Sequence, residues 1–269
     1  MDAYFLGSNS AYGFYSCYEH LASADNGDFL WVIKGGPGCG KSTFMKKIAR
    51  EAEKQGFLVE YIYCSGDPDS LDGIYIPDLH TAYTDGTSPH VQEPQYPAVR
   101  GAYLDLGQFY DIPSLIEKID EVSDANKAYK IAYKTAYELL KEIPKPNDLP
   151  TCANAGKRRF LSALTCQGWV EKSDNLKKEI TVSALREILD STAENTIIYL
   201  HPLWPDLVQG VQLDGVNFML DVEIPSCSSA VSWLQKAKES HDALEKIYYP
   251  HVNFDALDRF AEIHMEKYL

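Results

Sequence analysis

Residues 35 to 44 read GGPGCGKSTF. Gly35, Gly40, Lys41 and Ser42 fall on the fixed positions of G-x-x-x-x-G-K-[ST], a spacing suited to holding a polyphosphate. Glycines let backbone N–H groups turn inward around phosphate oxygens, and a helix starting near Lys41 aims its positive end at the same charge. The expected cradle is Gly35, Gly36, Pro37, Gly38, Cys39, Gly40, Lys41, Ser42 and Thr43. Lys41 reaches the β- and γ-phosphates, Ser42 offers its hydroxyl to Mg²⁺, and Thr43 follows on the helix beside the α-phosphate. Cys39 is read as a small residue that fits the loop rather than as a redox brake.

Acids come next, because phosphoryl chemistry needs a metal ligand and a group that orients water or accepts a proton. The stretch SGDPDSLDG (65 to 73) carries Asp67, Asp69 and Asp72. Asp67 and Asp69 are expected to hold Mg²⁺, orient an attacking water, or take the proton of an acceptor hydroxyl. The bland alternative is an acidic surface turn. A carboxylate closing another apolar strand is offered weakly by Asp105 in GAYLDL and by Asp221 and Glu223 in VNFMLDVE. The guanine-reading N-K-x-D pattern is missing, since NKAY at 126 to 129 lacks the aspartate, and ATP is therefore expected over GTP.

The elements that must position these groups can be read from periodicity. FLWVIK (29 to 34) is a buried-strand run, and STFMKKIAREAEKQG places Phe44, Ile48 and Ala52 on one helical face before a Gly56 stop. FLVEYIYC (57 to 64) reads as a second buried strand, expected beside the first so that its loop delivers Asp67 and Asp69 to the phosphates.

The second half reads as a worn copy of the first. YFLGSNSAYGFYS (4 to 16) and RFLSALTCQGWVE (159 to 171) share their pattern at an offset of about 155 residues. ALREILDSTAENTIIYLHPLWPDLVQGVQLDGVNFMLD then follows the order of the first half: helix, strand, Pro-Asp loop, hairpin. The strand and glycine loop are expected to be missing from this copy, because residues 172 to 186 contain no glycine. Each copy closes in a helix with four-three spacing. One seam is Leu115, Ile119, Val122, Asn126, Tyr129, Tyr133, Ala136, Leu140 and Ile143; the other is Ala230, Leu234, Ala237, His241, Leu244 and Tyr248. Asn126 and His241 would set register in that seam or simply face solvent. PKPNDLP (144 to 150) is the expected linker between halves 1–150 and 151–269.

The fold class expected is α/β: a P-loop NTPase-like three-layer sandwich with a mostly parallel sheet, plus the degenerate second half and long helices. KGGPGCGKSTFMKKIA, YIYCSGDPDSLDG, DGTSPH (85 to 90) and the repeated F-L-x-x-x-[ST]-x-x-G resemble an uncharacterised bacterial family of tandem P-loop ATP-binding proteins, found mainly in clostridia and their relatives. The resemblance implies that the glycine loop and the GDPDSLDG acids form the nucleotide site and that His90 lies in a neighbouring loop. This chain departs from the family in its shorter second half without a glycine loop.

Composition bounds the partners. With 25 Lys+Arg against 39 Asp+Glu, the net charge of -14 works against nonspecific nucleic-acid or anionic-lipid binding. The N-terminal MDAYFLGSNSAYGF has neither the basic nor the apolar segment of a secretion signal, and the expected address is the cytoplasm. No apolar run near the motif approaches the ~20 residues that span a bilayer. The six cysteines (17, 39, 64, 152, 166, 227) form no C-x-x-C pair, and the seven histidines show no zinc spacing, so free thiols and no structural metal are expected. Three functions compete: a Mg²⁺-dependent ATPase driving a conformational change, a small-molecule or nucleoside kinase using the Asp67/Asp69 loop, and a nucleotide sensor without turnover. Arg100, Arg158 or Arg159 is the expected clamp on a transferred phosphoryl group.

Overall fold

The computed structural model describes residues 2–153, 155–191 and 196–269. It is a mixed α/β protein. The first half runs through β1 (Asp2–Tyr4), the hairpin β2 (Gly7–Ser10) and β3 (Gly13–Ser16), β4 (Phe29–Lys34), α1 (Lys41–Lys54), β5 (Glu60–Tyr63), β6 (Leu71–Ile76), β7 (Thr81–Asp85), β8 (Gly101–Asp105), α2 (Ile112–Ile116) and α3 (Ile119–Lys141). The second half follows with β9 (Lys157–Arg159), the hairpin β10 (Ser162–Thr165) and β11 (Gly168–Glu171), β12 (Lys177–Glu179), α4 (Val182–Asp190), β13 (Ile197–Leu200), β14 (Val208–Leu213), β15 (Val216–Met219), α5 (Ser228–Tyr248) and α6 (Phe254–Tyr268).

The first sheet has the order β1-β5-β6-β7-β4-β8. Only β6 runs against the other strands. Alternation along β4 explains its burial on both sides. Trp31 and Ile33 pack with Phe44, Met45, Ile48, Ala49 and Ala52 of α1, whereas Leu30 faces the opposite core. That opposite face is covered by Cys17, Tyr18 and Leu21 and by second-half residues, among them Leu185 and Leu189 of α4. The long connection from β7 to β8 contains no crossover helix.

The second sheet, β9-β13-β14-β15-β12, repeats the first strand by strand, without a counterpart of β8. The senses repeat too: β9 is parallel to β13 and β12 to β15, with β14 antiparallel to both its neighbours. The halves meet at a bridge between Phe5 and Phe160, residues at the same offset of 155. The strand expected to be missing is present as β12, a short exposed edge that polar KKE concealed from hydrophobic patterning. The glycine loop is absent: only Ile180 and Thr181 separate β12 from α4, and Thr181 accepts from the N–H of Ala184 as its cap.

Helices α3 and α5 pack along each other, burying Ala132, Ala136 and Leu140 against Ala230, Leu234 and Ala237. The expected seam starts too early, since the helix breaks at Glu117 and Lys118 and Ile119 is 64% exposed. Sequence patterning did not identify α6, whose Leu257 and Ala261 join the core beneath α1 and whose His264 bonds the Tyr83 hydroxyl at 3.0 Å. None of the described helices is long and apolar enough to cross a membrane.

Candidate functional site

Three parallel strands end together. Registers pair Ile33 of β4 with Asp85 of β7 and Lys34 of β4 with Asp105 of β8, so both acids flank the point where the glycine loop leaves the sheet. Gly35, Gly38 and Gly40 have φ of 151°, 67° and 89°, a left-handed backbone that a side chain would strain. No side-chain hydrogen bond caps the N-terminus of α1, in contrast to α4. Cys39 is 1% exposed and burial pushes its thiol up, which makes it a packing residue of the loop.

Lys41 folds back over the loop. Its Nζ donates to the carbonyl oxygens of Gly35 at 2.9 Å and Gly36 at 3.0 Å and lies 3.6 Å from Asp85 Oδ2. The other Asp85 oxygen accepts from the Thr87 N–H at 2.8 Å and hydroxyl at 2.6 Å, which aims the carboxylate at the lysine. Sequence reading missed Asp85 in this role: TAYTD reads as the arm of a hairpin, which β7 is, but nothing local records that its other edge pairs with β4, where Ala82, Tyr83 and Thr84 are fully buried. Asp105 also ends a neighbouring strand, but its carboxylate is spent on the N–H of Gly107 at 2.8 Å. Asp221 and Glu223 follow β15 of the second sheet.

The β5–β6 segment approaches from the side, although β5 itself is not next to β4. Strands β6 and β7 intervene, which corrects the expected adjacency. Leu71 still donates its N–H to Ser42 Oγ at 2.9 Å, so this loop touches the start of α1. Asp67 accepts from the Ser70 hydroxyl at 3.0 Å and lies 3.8 Å from Lys238 Nζ of α5. Asp69 is exposed and contributes its backbone carbonyl to Lys46 at 2.6 Å. The buried Asn9 anchors the loop, donating to the Ser65 and Leu164 carbonyls at 3.1 and 3.0 Å while Tyr137 donates to its Oδ1 at 3.0 Å. On these contacts Asp67→Asn is expected to lower turnover by about tenfold through the loosened Lys238 contact, and Asp69→Asn by less than about twofold. Steady-state ATPase rates of the two variants check this, and equal losses would contradict the assignment.

Asp72 points elsewhere, into a buried pocket with Tyr18 and His90. The Tyr18 hydroxyl donates to its Oδ2 at 2.8 Å, and His90 Nε2 lies 3.2 Å away. Burial pushes the Asp72 carboxyl above its ordinary range against the pull of the His90 ring.

Second-half residues lie against the glycine loop through α5 rather than through the arginines. A Cβ on Gly38 would sit 3.1 Å from the carbonyl oxygen of Glu245, so the loop and this helix are in backbone contact. Tyr110 closes the other side, donating its hydroxyl to the Pro37 carbonyl at 2.7 Å. Arg159 is buried against Glu60 at 2.8 Å and stacks on Tyr4, at the start of β5 and thus the far end of the sheet. Arg100 bonds the Gly27 carbonyl before β4, and Arg158 the Cys152 carbonyl. None of the three expected arginines therefore lies at the site. The second half instead places Lys238 against the Asp67 loop: burial works to lower its pKa, but Asp242 at 3.0 Å and Asp67 more than offset this and raise it.

A family model described as Nephrocystin 3, N-terminal matches residues 16–74. That stretch spans β4, the glycine loop, α1, β5 and the start of β6, and leaves out Asp85 of β7 and the contacts from α5. No curated protein and no solved structure matches the chain.

Proposed function

We propose that this protein binds ATP with Mg²⁺ at the glycine loop and hydrolyses it, with α5 moving in response. The observation that supports this most is the pairing of Lys41 with Asp85 at 3.6 Å, at the mouth of a loop with three left-handed glycines. A lysine and a carboxylate in this relation serve, respectively, the transferred phosphoryl group and the metal that accompanies it. The residues fit the group: backbone N–H groups of residues 35–40 and Lys41 would hold the phosphates, and Ser42 and Asp85 would hold Mg²⁺. The ion, when bound, neutralises charge on the phosphate oxygens. Lys41 exchanges two carbonyl acceptors for charged oxygens, a stronger class of hydrogen bond. Ser42 is already oriented by the Leu71 N–H.

Coupling to α5 follows from the contacts around the loop. Gly38 is in backbone contact with Glu245 of α5, and Lys238 bridges the same helix to Asp67, so a movement of the loop on binding would be passed to α5. The second half has no cradle, and its repeated sheet is read as a duplicate kept for packing and for carrying α5. Titration calorimetry with a non-hydrolysable ATP analogue and Mg²⁺ is expected to give one site per chain. Two equivalent sites would falsify the single-cradle reading, and no binding would end the nucleotide reading altogether. Phosphate release without an added acceptor supports the ATPase; ADP that appears only with pooled nucleosides or sugars assigns the site to a kinase instead.

A further inference from the structure

The pocket that holds Asp72 is used by nothing in the nucleotide reading. Sγ of Cys64, a carboxylate oxygen of Asp72 and a ring nitrogen of His90 lie within 4.8 Å of one another. They come from three segments: the end of β5, the first residues of β6 and the loop after β7. Asp72 and His90 are 4% and 7% exposed, and His90 Nδ1 is buried without a hydrogen-bond partner. The nitrogen that faces Asp72 is Nε2, and the ring is wedged between Phe14 and Tyr18, each centroid 5.0 Å away.

We infer that Cys64, Asp72 and His90 form a binding site for a divalent transition-metal ion of the zinc class. Thiolate, imidazole and carboxylate are the donor set zinc takes, and a thiolate disfavours the hard ions Mg²⁺ and Ca²⁺. Zinc–donor lengths of about 2.0–2.3 Å put tetrahedral donors roughly 3.2–3.8 Å apart. The Asp72–His90 pair already stands at 3.2 Å, so closure to that geometry is a matter of side-chain adjustment around Cys64.

Charge favours the same occupant. On binding, the Cys64 thiol releases its proton to solvent; thiolate, carboxylate, neutral imidazole and a dication then sum to zero in a buried pocket, the state that burial penalises least. Tyr18 donates to the Asp72 oxygen that faces His90, the kind of contact that orients a ligating carboxylate. Three protein donors leave a fourth position for water or a further ligand.

Occupancy would have a mechanical consequence for the neighbouring site. Asp72 follows Leu71, which bonds Ser42, and His90 lies five residues beyond Asp85. A metal at this point fastens the loop after Asp85 to the loop that contacts Ser42. The inference does not depend on nucleotide binding, and its test is independent of ATP.

The full-length protein, stripped with a chelator and titrated with Zn²⁺ or Co²⁺, is expected to take up one tightly held ion per chain. The cobalt form should show a thiolate-to-metal charge-transfer band in the near ultraviolet. Cys64→Ser should abolish that band, and His90→Gln should weaken Zn²⁺ affinity at least tenfold. X-ray absorption at the zinc edge of the wild-type protein should find one sulfur among nitrogen and oxygen donors, a reading that needs no variant to fold. Failure to take up either ion, a charge-transfer band retained in Cys64→Ser, or a shell of nitrogen and oxygen alone would each overturn the site. The last result would move the ion to the more exposed trio His241, Asp242 and Glu245 on α5.

Discussion

Lys41→Ala is expected to weaken ATP binding by about 10- to 150-fold, the effect of losing about 1.5–3 kcal/mol of charge-assisted hydrogen bonding. The size follows from how the ammonium is held. Two loop carbonyls at 2.9 and 3.0 Å and Asp85 at 3.6 Å keep it over the cradle before any ligand arrives, so little side-chain freedom is lost on binding. The fold should survive, because Asp85 keeps both bonds from Thr87 when its cation is gone and its carboxylate is still 13% exposed to water. Calorimetric titration with ATP reads the affinity, and circular dichroism checks the fold. Wild-type affinity in a folded Lys41→Ala protein would remove the glycine loop from the binding reaction.

The local parts of the site were legible in the sequence, and the parts made by long-range packing were not. The glycine loop, the strand before it and the Phe44, Ile48, Ala52 face of α1 are written in consecutive residues, and Gly56, with φ of 91°, follows the helix end as expected. The repeated half was legible for the same reason, through an offset of 155 between β1 to β3 and β9 to β11 that survives as the Phe5–Phe160 bridge. Strand order is a different matter. Nothing in residues 57 to 64 says that two strands will be inserted between β5 and β4, one of them antiparallel. The arginine clamp failed for the same reason, since Arg159 lies at the wrong end of a sheet whose order was unknown. His90 entered only through the resemblance, as a neighbouring loop. Its meeting with Cys64 and Asp72 depends on β6 pairing with β7, which no spacing along the chain records. Lys238 is legible only once α5 is seen to lie across the loop, because its partner Asp67 is far away in sequence.

Asp85→Asn should have the largest effect on chemistry, lowering turnover by about 100-fold or more, the scale on which a metal-directing carboxylate acts. The substitution keeps the shape and the acceptor for Thr87, so positioning is preserved and charge alone is removed. Affinity for ATP without Mg²⁺ should change by less than about threefold, or tighten, because a carboxylate beside Lys41 competes with phosphate for the same ammonium. In the wild type Mg²⁺ should strengthen ATP binding, and this enhancement should disappear in Asp85→Asn. That second readout decides the role of Asp85 even if hydrolysis proves very slow. Asp105→Asn is the matched comparison: it ends the strand on the other side of β4 with its carboxylate bound to Gly107, and it should leave turnover within about threefold of wild type. Loss of turnover in Asp105→Asn with normal turnover and a normal Mg²⁺ effect in Asp85→Asn would transfer the metal-directing role across the loop to β8. It would also mean that the Lys41–Asp85 pair is only a resting contact of the lysine.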